Sequence, residues 1–189
     1  MERPNMPRNA RGFITTGELV RAAVVAALLL AVKEALRFIP NVELVTVIII
    51  VSAYAFSPKV SFLTTFVFCT AQWLLYGFGY WVVSYYLYWP ALTAAALSLK
   101  RVRNAAARSV AAVFIAAVFT AAFGVLTTAV DVLFVWGFSG SFFTYFPIWY
   151  ARGLLLPYPF YIVHFVSSVA TVGFLFFPLS KVLERYERT

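Results

Sequence analysis

Six apolar runs, at about 18–38, 42–56, 60–77, 80–99, 109–136 and 156–179, each approach the roughly 20 residues that a helix needs to cross a hydrocarbon core. With 63% of the 189 residues hydrophobic and 12% charged, the chain carries more apolar surface than one soluble core buries. The expected fold class is all-α: a polytopic membrane protein built as a six-transmembrane-helix bundle over 18–183. A segment over 1–17 precedes it and a tail over 184–189 follows. The second run is short and the fifth long, so the second should stand nearly upright while the fifth tilts or projects. Pro40, Ser57-Pro58 and Gly77-Phe78-Gly79 mark the first three breaks. Pro90 falls inside the fourth run, where a lipid-embedded helix tolerates a kink.

Arg3, Arg8 and Arg11 ahead of an apolar run imitate a secretory signal. That run has its charges at the far end, lacks a small-residue cleavage site there and is followed by five more spans, so it is expected to be retained. Lys and Arg at the helix ends give the orientation. Arg3, Arg8, Arg11, Arg21, Lys59, Lys100, Arg101, Arg103, Arg108, Lys181, Arg185 and Arg188 fall on one side, against Lys33, Arg37 and Arg152 on the other. Both termini are therefore expected to be cytoplasmic in a cell (plasma) membrane. The net charge of +8 is spread over short connections rather than massed on one soluble face, which excludes nucleic acid as a partner.

The two halves of the bundle differ in residue type. The inner half is small: Ala22, Ala23, Ala26, Ala27 and Ala31 in the first run, Ala91 and Ala94–Ala96 in the fourth, and seven alanines from Ala105 to Ala117 in the fifth. Four-residue spacing of small side chains reads either as close packing within the bundle or as a flat surface for another membrane protein. The outer half is aromatic, with Trp73, Tyr76, Trp81, Tyr85, Tyr86, Tyr88 and Trp89, then Tyr145, Trp149, Tyr150 and Tyr158. An interfacial belt explains some of these, but a belt forms at both boundaries; the one-sidedness points to a ligand pocket at the outer end.

Ionisable groups in an apolar run are functional candidates because each costs a few kcal/mol unless paired or facing water. LLLAVKEALRFIPNVELV, residues 28–45, holds Lys33, Glu34, Arg37, Asn41 and Glu43. Glu34 can pair with Arg37 three residues on, and the group reads as either a snorkelling cluster or a pocket rim. Asp131 and His164 have no local partner and can satisfy each other. One His and one Cys cannot furnish a usual metal site, and no phosphate-cradling G-x-x-x-x-G-K-[ST] is present. No cofactor or catalytic residue is therefore expected, and if ATP drives transport here, another chain must hydrolyse it.

EALRFIPNVELVTVIIIVSAYAFSPK (34–59) and LLYGFGYWVVSYYLYWP (74–90), with an Ala-rich first run and six spans, resemble the substrate-specific S components of energy-coupling factor (ECF) transporters. They look most like a branch whose members are mostly assigned no substrate. The resemblance implies a small membrane subunit that is not an enzyme, binds a vitamin or vitamin precursor at the outer face, and docks on a transmembrane coupling subunit with two cytoplasmic ATPases. Docking in that family uses an Ala-x-x-x-Ala pattern at the start of the first helix, which Ala22/Ala26, Ala23/Ala27 and Ala27/Ala31 all match. The lid implied for the pocket is Phe38–Val42. The metal-binding members use an N-terminal His that this chain lacks, which favours an organic substrate over cobalt or nickel. The substrate contacts expected on this reading are Glu34, Arg37, Asn41, Tyr76, Trp81, Tyr85, Trp89, Asp131, Trp149, Arg152 and His164. Against it stand a stand-alone carrier, a structural or assembly subunit of a membrane complex, and an intramembrane enzyme.

Overall fold

A computed structural model describes residues 14–40, 42–138, 140–155 and 159–186. Among these residues the chain is entirely helical: α1 (Thr16–Ala35), α2 (Val45–Ala55), α3 (Pro58–Tyr76), α4 (Tyr80–Ala96), a 3-10 segment (Leu97–Arg101), α5 (Ala105–Trp136), α6 (Gly140–Leu155) and α7 (Phe160–Tyr186). Each early boundary has a local cause. Thr15 caps α1 in a reciprocal capping box with Glu18, accepting from the Glu18 amide at 3.2 Å while its own amide donates to the Glu18 carboxylate at 2.9 Å. Ser57 caps α3 with Pro58 in its first turn, and Asn104 caps α5 through the Ala107 amide at 3.0 Å. Gly77 (φ 79°) and Gly137 (φ 68°) end α3 and α5 in the left-handed region that other residues avoid. Pro90 sits within α4 without ending it, as expected.

Tyr80–Arg101, Ala105–Trp136 and Phe160–Arg185 are long and apolar enough to cross a membrane. α1 carries Glu18, Arg21, Lys33 and Glu34 and is not among them. The 32 residues of α5 rise about 48 Å, well beyond a ~30 Å hydrocarbon core, in keeping with the tilt or projection expected of it. α7 continues to Tyr186, past the expected end of the bundle at 183. α6 is an addition to the six helices expected. Its 16 residues rise only about 24 Å, and Pro147 interrupts it. It is held by an aromatic ladder at four-residue spacing, Phe142 on Phe146 at 5.6 Å and Phe146 on Tyr150 at 5.9 Å, which continues to Tyr161 of α7 at 5.7 Å.

The core forms around α2. Its sequence, VTVIIIVSAYA, is rich in β-branched residues that favour a helix poorly, and eight of its 11 residues are buried. A short helix buried on all sides draws its stability from packing rather than propensity. It packs on α4 and α7 and also touches α1, α3 and α5. Around it Leu29, Phe68, Leu92, Val172 and Phe176 are at most 1% exposed. Cys69 is free, buried among them and 3.6 Å from the Tyr85 carbonyl, a packing position.

Cross-helix contacts define two ends. At one, Arg108 at the start of α5 pairs with Glu184 near the end of α7 at 3.0 Å, and Tyr54 at the end of α2 donates to the same carboxylate. The Arg108 guanidinium also lies 4.4 Å from the Tyr54 ring centre. The other end gathers the last turns of α1 and α3 and the first of α2, α4 and α7. α5 packs on α7, with Gly124 and Thr128 against Tyr161; both belong to a stripe of small buried residues on α5, Ala112, Ala116, Thr120, Gly124 and Thr128. A Cβ on Gly124 would stand 2.8 Å from the Tyr161 ring, so the glycine permits the approach. Gly124→Val is expected to destabilise the bundle by about 1–3 kcal/mol, read as a lowered thermal transition of the detergent-solubilised protein.

Candidate functional site

The end of the bundle opposite the Arg108–Glu184 pair contains a cavity of about 450 Å³, within the ~300–1,000 Å³ typical of small-molecule sites. Six helices and one connection build its walls, α2 through its first residue Val45. α1 contributes Lys33 and Glu34, α3 Gln72 and Tyr76, α4 Trp81, Tyr85 and Trp89, α5 Phe123, and α7 His164. The α1–α2 connection covers it with Leu36, Arg37, Ile39, Pro40, Val42 and Glu43. Phe38 in that connection is 91% exposed, an unusual position for a phenylalanine at a water-facing rim. The segment expected to act as the lid is thus the segment that roofs the cavity, apart from Asn41, which lies outside the described residues.

The rim and the interior differ in how their charges are satisfied. At the rim Tyr76 donates to Glu34, whose carboxylate is also 3.7 Å from Arg37, and the Arg37 guanidinium lies 5.7 Å from the Tyr76 ring centre. Arg37 and Glu34 keep 67% and 38% of their side-chain surface, so this is a solvated ion pair of small energy. Inside, Lys33 reaches across the bundle, donating to Gln72 Oε1 at 2.5 Å and to the Tyr85 hydroxyl at 3.0 Å. Its ammonium also lies 4.7 Å from the Tyr85 ring centre. Trp81, Tyr85 and Trp89 run down one face of α4 at four-residue spacing, edge to face at 5.1 and 5.8 Å. Phe123 closes the opposite wall, 4.9 Å from the His164 ring.

Three polar groups of this lining are more than nine-tenths buried and have no hydrogen-bond partner among the described residues: Gln72 Nε2, Trp89 Nε1 and His164 Nε2. Orphaned buried polar groups are rare because each forfeits its hydration for nothing, so three on one cavity call for a function.

Glu43 has a different task. Leu44, the first flanking residue of α2, has no side chain that can cap the helix. The Glu43 carboxylate does it instead, accepting from the Thr46 amide at 3.0 Å and the Thr46 hydroxyl at 2.5 Å. It also accepts from Ser168 of α7 at 2.7 Å, while the Glu43 amide donates to the Ser167 hydroxyl at 3.0 Å.

Of the expected contacts, Glu34, Arg37, Tyr76, Trp81, Tyr85, Trp89 and His164 line the cavity. Asp131, Trp149 and Arg152 do not. Asp131 sits half-buried one turn from the end of α5, and among the described residues no hydrogen bond joins it to His164, which stacks beside Phe123 instead. Trp149 and Arg152 belong to α6, where Arg152 is exposed. Gln72 and Phe123 were not anticipated. A lone amide in the otherwise apolar FVFCTAQWLLY stretch was a usable signal for Gln72; Phe123 is one of 20 phenylalanines, and nothing singled it out. The alanines divide: Ala22 and Ala26 are at most 1% exposed, with Ala22 beneath Thr64 of α3, whereas Ala23, Ala27 and Ala31 are exposed.

Comparison of the chain with protein-family models, curated proteins and solved structures finds no match. What the fold itself defines is a helical protein with three segments able to cross a membrane and an aromatic cavity at one end of the bundle. Removing the Glu43 carboxylate, as in Glu43→Ala, leaves the Thr46 amide and Ser168 hydroxyl without an acceptor and is expected to cost about 1–3 kcal/mol. Arg37→Ala breaks only a solvated pair, and its expected cost is within about 1 kcal/mol. Thermal melts of the two variants side by side test the contrast.

Proposed function

We propose that the chain is the substrate-binding S component of an ECF-type transporter, spanning the plasma membrane six times with both termini in the cytoplasm. The observation that carries this reading is the roofed cavity with its three orphaned polar groups. An aromatic, already formed site with unmet hydrogen-bonding capacity suits capture of a small organic molecule.

The charges favour the orientation. Arg21, Lys59, Lys100, Arg101, Arg103, Arg108, Lys181 and Arg185 belong to the end away from the cavity, and Lys33, Arg37 and Arg152 to the half that holds it. The excess of basic residues at cytoplasmic helix ends then puts the cavity at the outer face. A vitamin or vitamin precursor enters beneath Ile39, Pro40 and Val42 of the α1–α2 connection and lies against Trp81, Tyr85, Trp89 and Phe123. Its polar groups are met by Lys33, Gln72 and His164. A volume of about 450 Å³ suits a molecule of one or two rings rather than a macrocycle.

The exposed side of α1 favours a docking role for one alanine pair over the other. Ala23 and Ala27 lie with Leu19, Val20, Val24 and Leu28 on a surface that no other helix covers among the described residues, each of these four being about half exposed or more. This small-residue face meets the transmembrane coupling subunit, whose two cytoplasmic ATPases drive release of the substrate inward. Affinity-tagged protein from native membranes is expected to bring down a membrane coupling subunit and ATPases. Ala23→Trp or Ala27→Trp should abolish this while leaving the melting transition intact; Ala26→Trp, at a buried site, should instead lower the melt. Solitary purification of the wild type, or unchanged capture with Ala23→Trp and Ala27→Trp, would refute the docking role and favour a stand-alone carrier.

A further inference from the structure

The four charged residues that line the cavity number two of each sign but are unevenly paired, and the pairing specifies the ligand. Of the four, Glu34 and Arg37 answer each other at the rim. The Glu43 carboxylate is consumed by Thr46 and Ser168 beside the positive end of the α2 dipole. Lys33 is the one cation of the four without a carboxylate partner: it rests on Gln72 Oε1 and the Tyr85 hydroxyl and ring, and among the described residues no carboxylate stands within 4.0 Å of it. A cation held between helices without a counter-ion lacks the compensation that an enclosed charge requires.

The neutral groups add to the same bias. An ammonium only donates, so the oxygen of Gln72 must face Lys33, and its NH₂ group is left as a buried donor without an acceptor. Trp89 Nε1 can only donate and is likewise unpartnered. Three helices therefore contribute donors to one cavity, and among the described residues Gln72 Nε2 and Trp89 Nε1 meet no acceptor there. Around them Trp81, Tyr85 and Phe123 present flat apolar surfaces.

Resting on the reading of this cavity as a ligand site, we propose that the ligand is a planar organic monocarboxylate whose carboxylate binds Lys33, Gln72 Nε2 and Trp89 Nε1 and whose ring lies among Trp81, Tyr85 and Phe123. With the Arg37 guanidinium engaged by Glu34 at the rim, one ammonium is left for a ligand, which matches a single negative charge better than a phosphate dianion with its need for a richer cluster of cations. His164 Nε2, on the α7 wall, meets a polar atom on the ligand's distal edge.

The test uses the full-length protein in lipid nanodiscs and matched acid and amide probes: nicotinate with nicotinamide, indole-3-acetate with indole-3-acetamide, and benzoate with benzamide, titrated by calorimetry. At least one acid should bind, with its amide about 10- to 100-fold weaker, the loss expected for charge-assisted hydrogen bonds. Lys33→Met should erase this preference. Gln72→Glu, which supplies Lys33 with an internal counter-ion, should weaken the acid by a similar factor while the protein keeps its melting transition. The proposal is overturned if no acid binds the wild type, if amides bind as tightly as acids, or if either variant, properly folded, retains the preference. Capture of the coupling subunit by the same wild-type and Lys33→Met samples is scored separately. Capture without acid preference sinks the carboxylate site and spares the transporter reading; acid preference without capture does the reverse.

Discussion

The architecture depends on a single carboxylate at the buried amino end of a helix. α2 is eleven residues long, mostly β-branched and enclosed by its neighbours, so its first amides can neither reach water nor be compensated by helical propensity. Glu43 supplies the missing acceptor from just outside the helix and, through Ser168, fastens α2 to α7. Because the same residue ends the connection that roofs the cavity, core and roof share one anchor. The far end of α2 is tied in turn through Tyr54 to Glu184 and Arg108. The central helix is thus held by a charged group at each end, with apolar packing between.

That arrangement explains how so greasy a chain tolerates charges within its helices. Arg108 and Glu184 compensate one another beside an aromatic ring, and Glu34 and Arg37 remain solvated at the rim. Lys33 and Glu43 are placed between helices on neutral partners, Gln72 and Tyr85 for the cation and Thr46 and Ser168 for the anion. An enclosed cation is tolerable where polar side chains share its hydration, and Gln72 and Tyr85 take that part here.

Much of this was legible in the linear sequence wherever the signal was local. Ser57 with Pro58 and the glycine at 77 act within a few residues of themselves, and helix boundaries fall at the breaks they mark; Thr15 with Glu18 and Gly137 are signals of the same local kind that went unread. The one-sided aromatic residues likewise foretold a cavity at one end, since every helix delivers them at the same height. What stayed hidden was which face of each helix turns inward. α2 and α4 are apolar all round, so no periodicity distinguishes core from surface, and the contact of Lys33 with Gln72 spans 39 residues. α6 escaped notice because Pro147 and its short apolar run argue against a span, while its aromatic ladder is visible only once a helix is assumed. Asp131 and Arg152 are the converse: conspicuous as charges in an apolar context, they sit where water or the chain ends of helices accommodate them, away from the cavity.

The small-residue stripe of α5 has a further consequence. Ala112, Ala116, Thr120, Gly124 and Thr128 recur every four residues, so where α7 rests on this stripe, at Gly124 and Thr128, a slide by four residues, about 6 Å, would meet nearly the same contour. Shape alone is indifferent to that step, as a ladder with equal rungs is to which rung a hook catches. The choice is made by directional bonds at its two ends: Arg108 with Glu184, and Thr128 with the Tyr161 hydroxyl at 2.9 Å. His164 lies one turn beyond Tyr161 on α7, so the depth at which its imidazole enters the cavity is metered by an ion pair at the opposite end of the molecule.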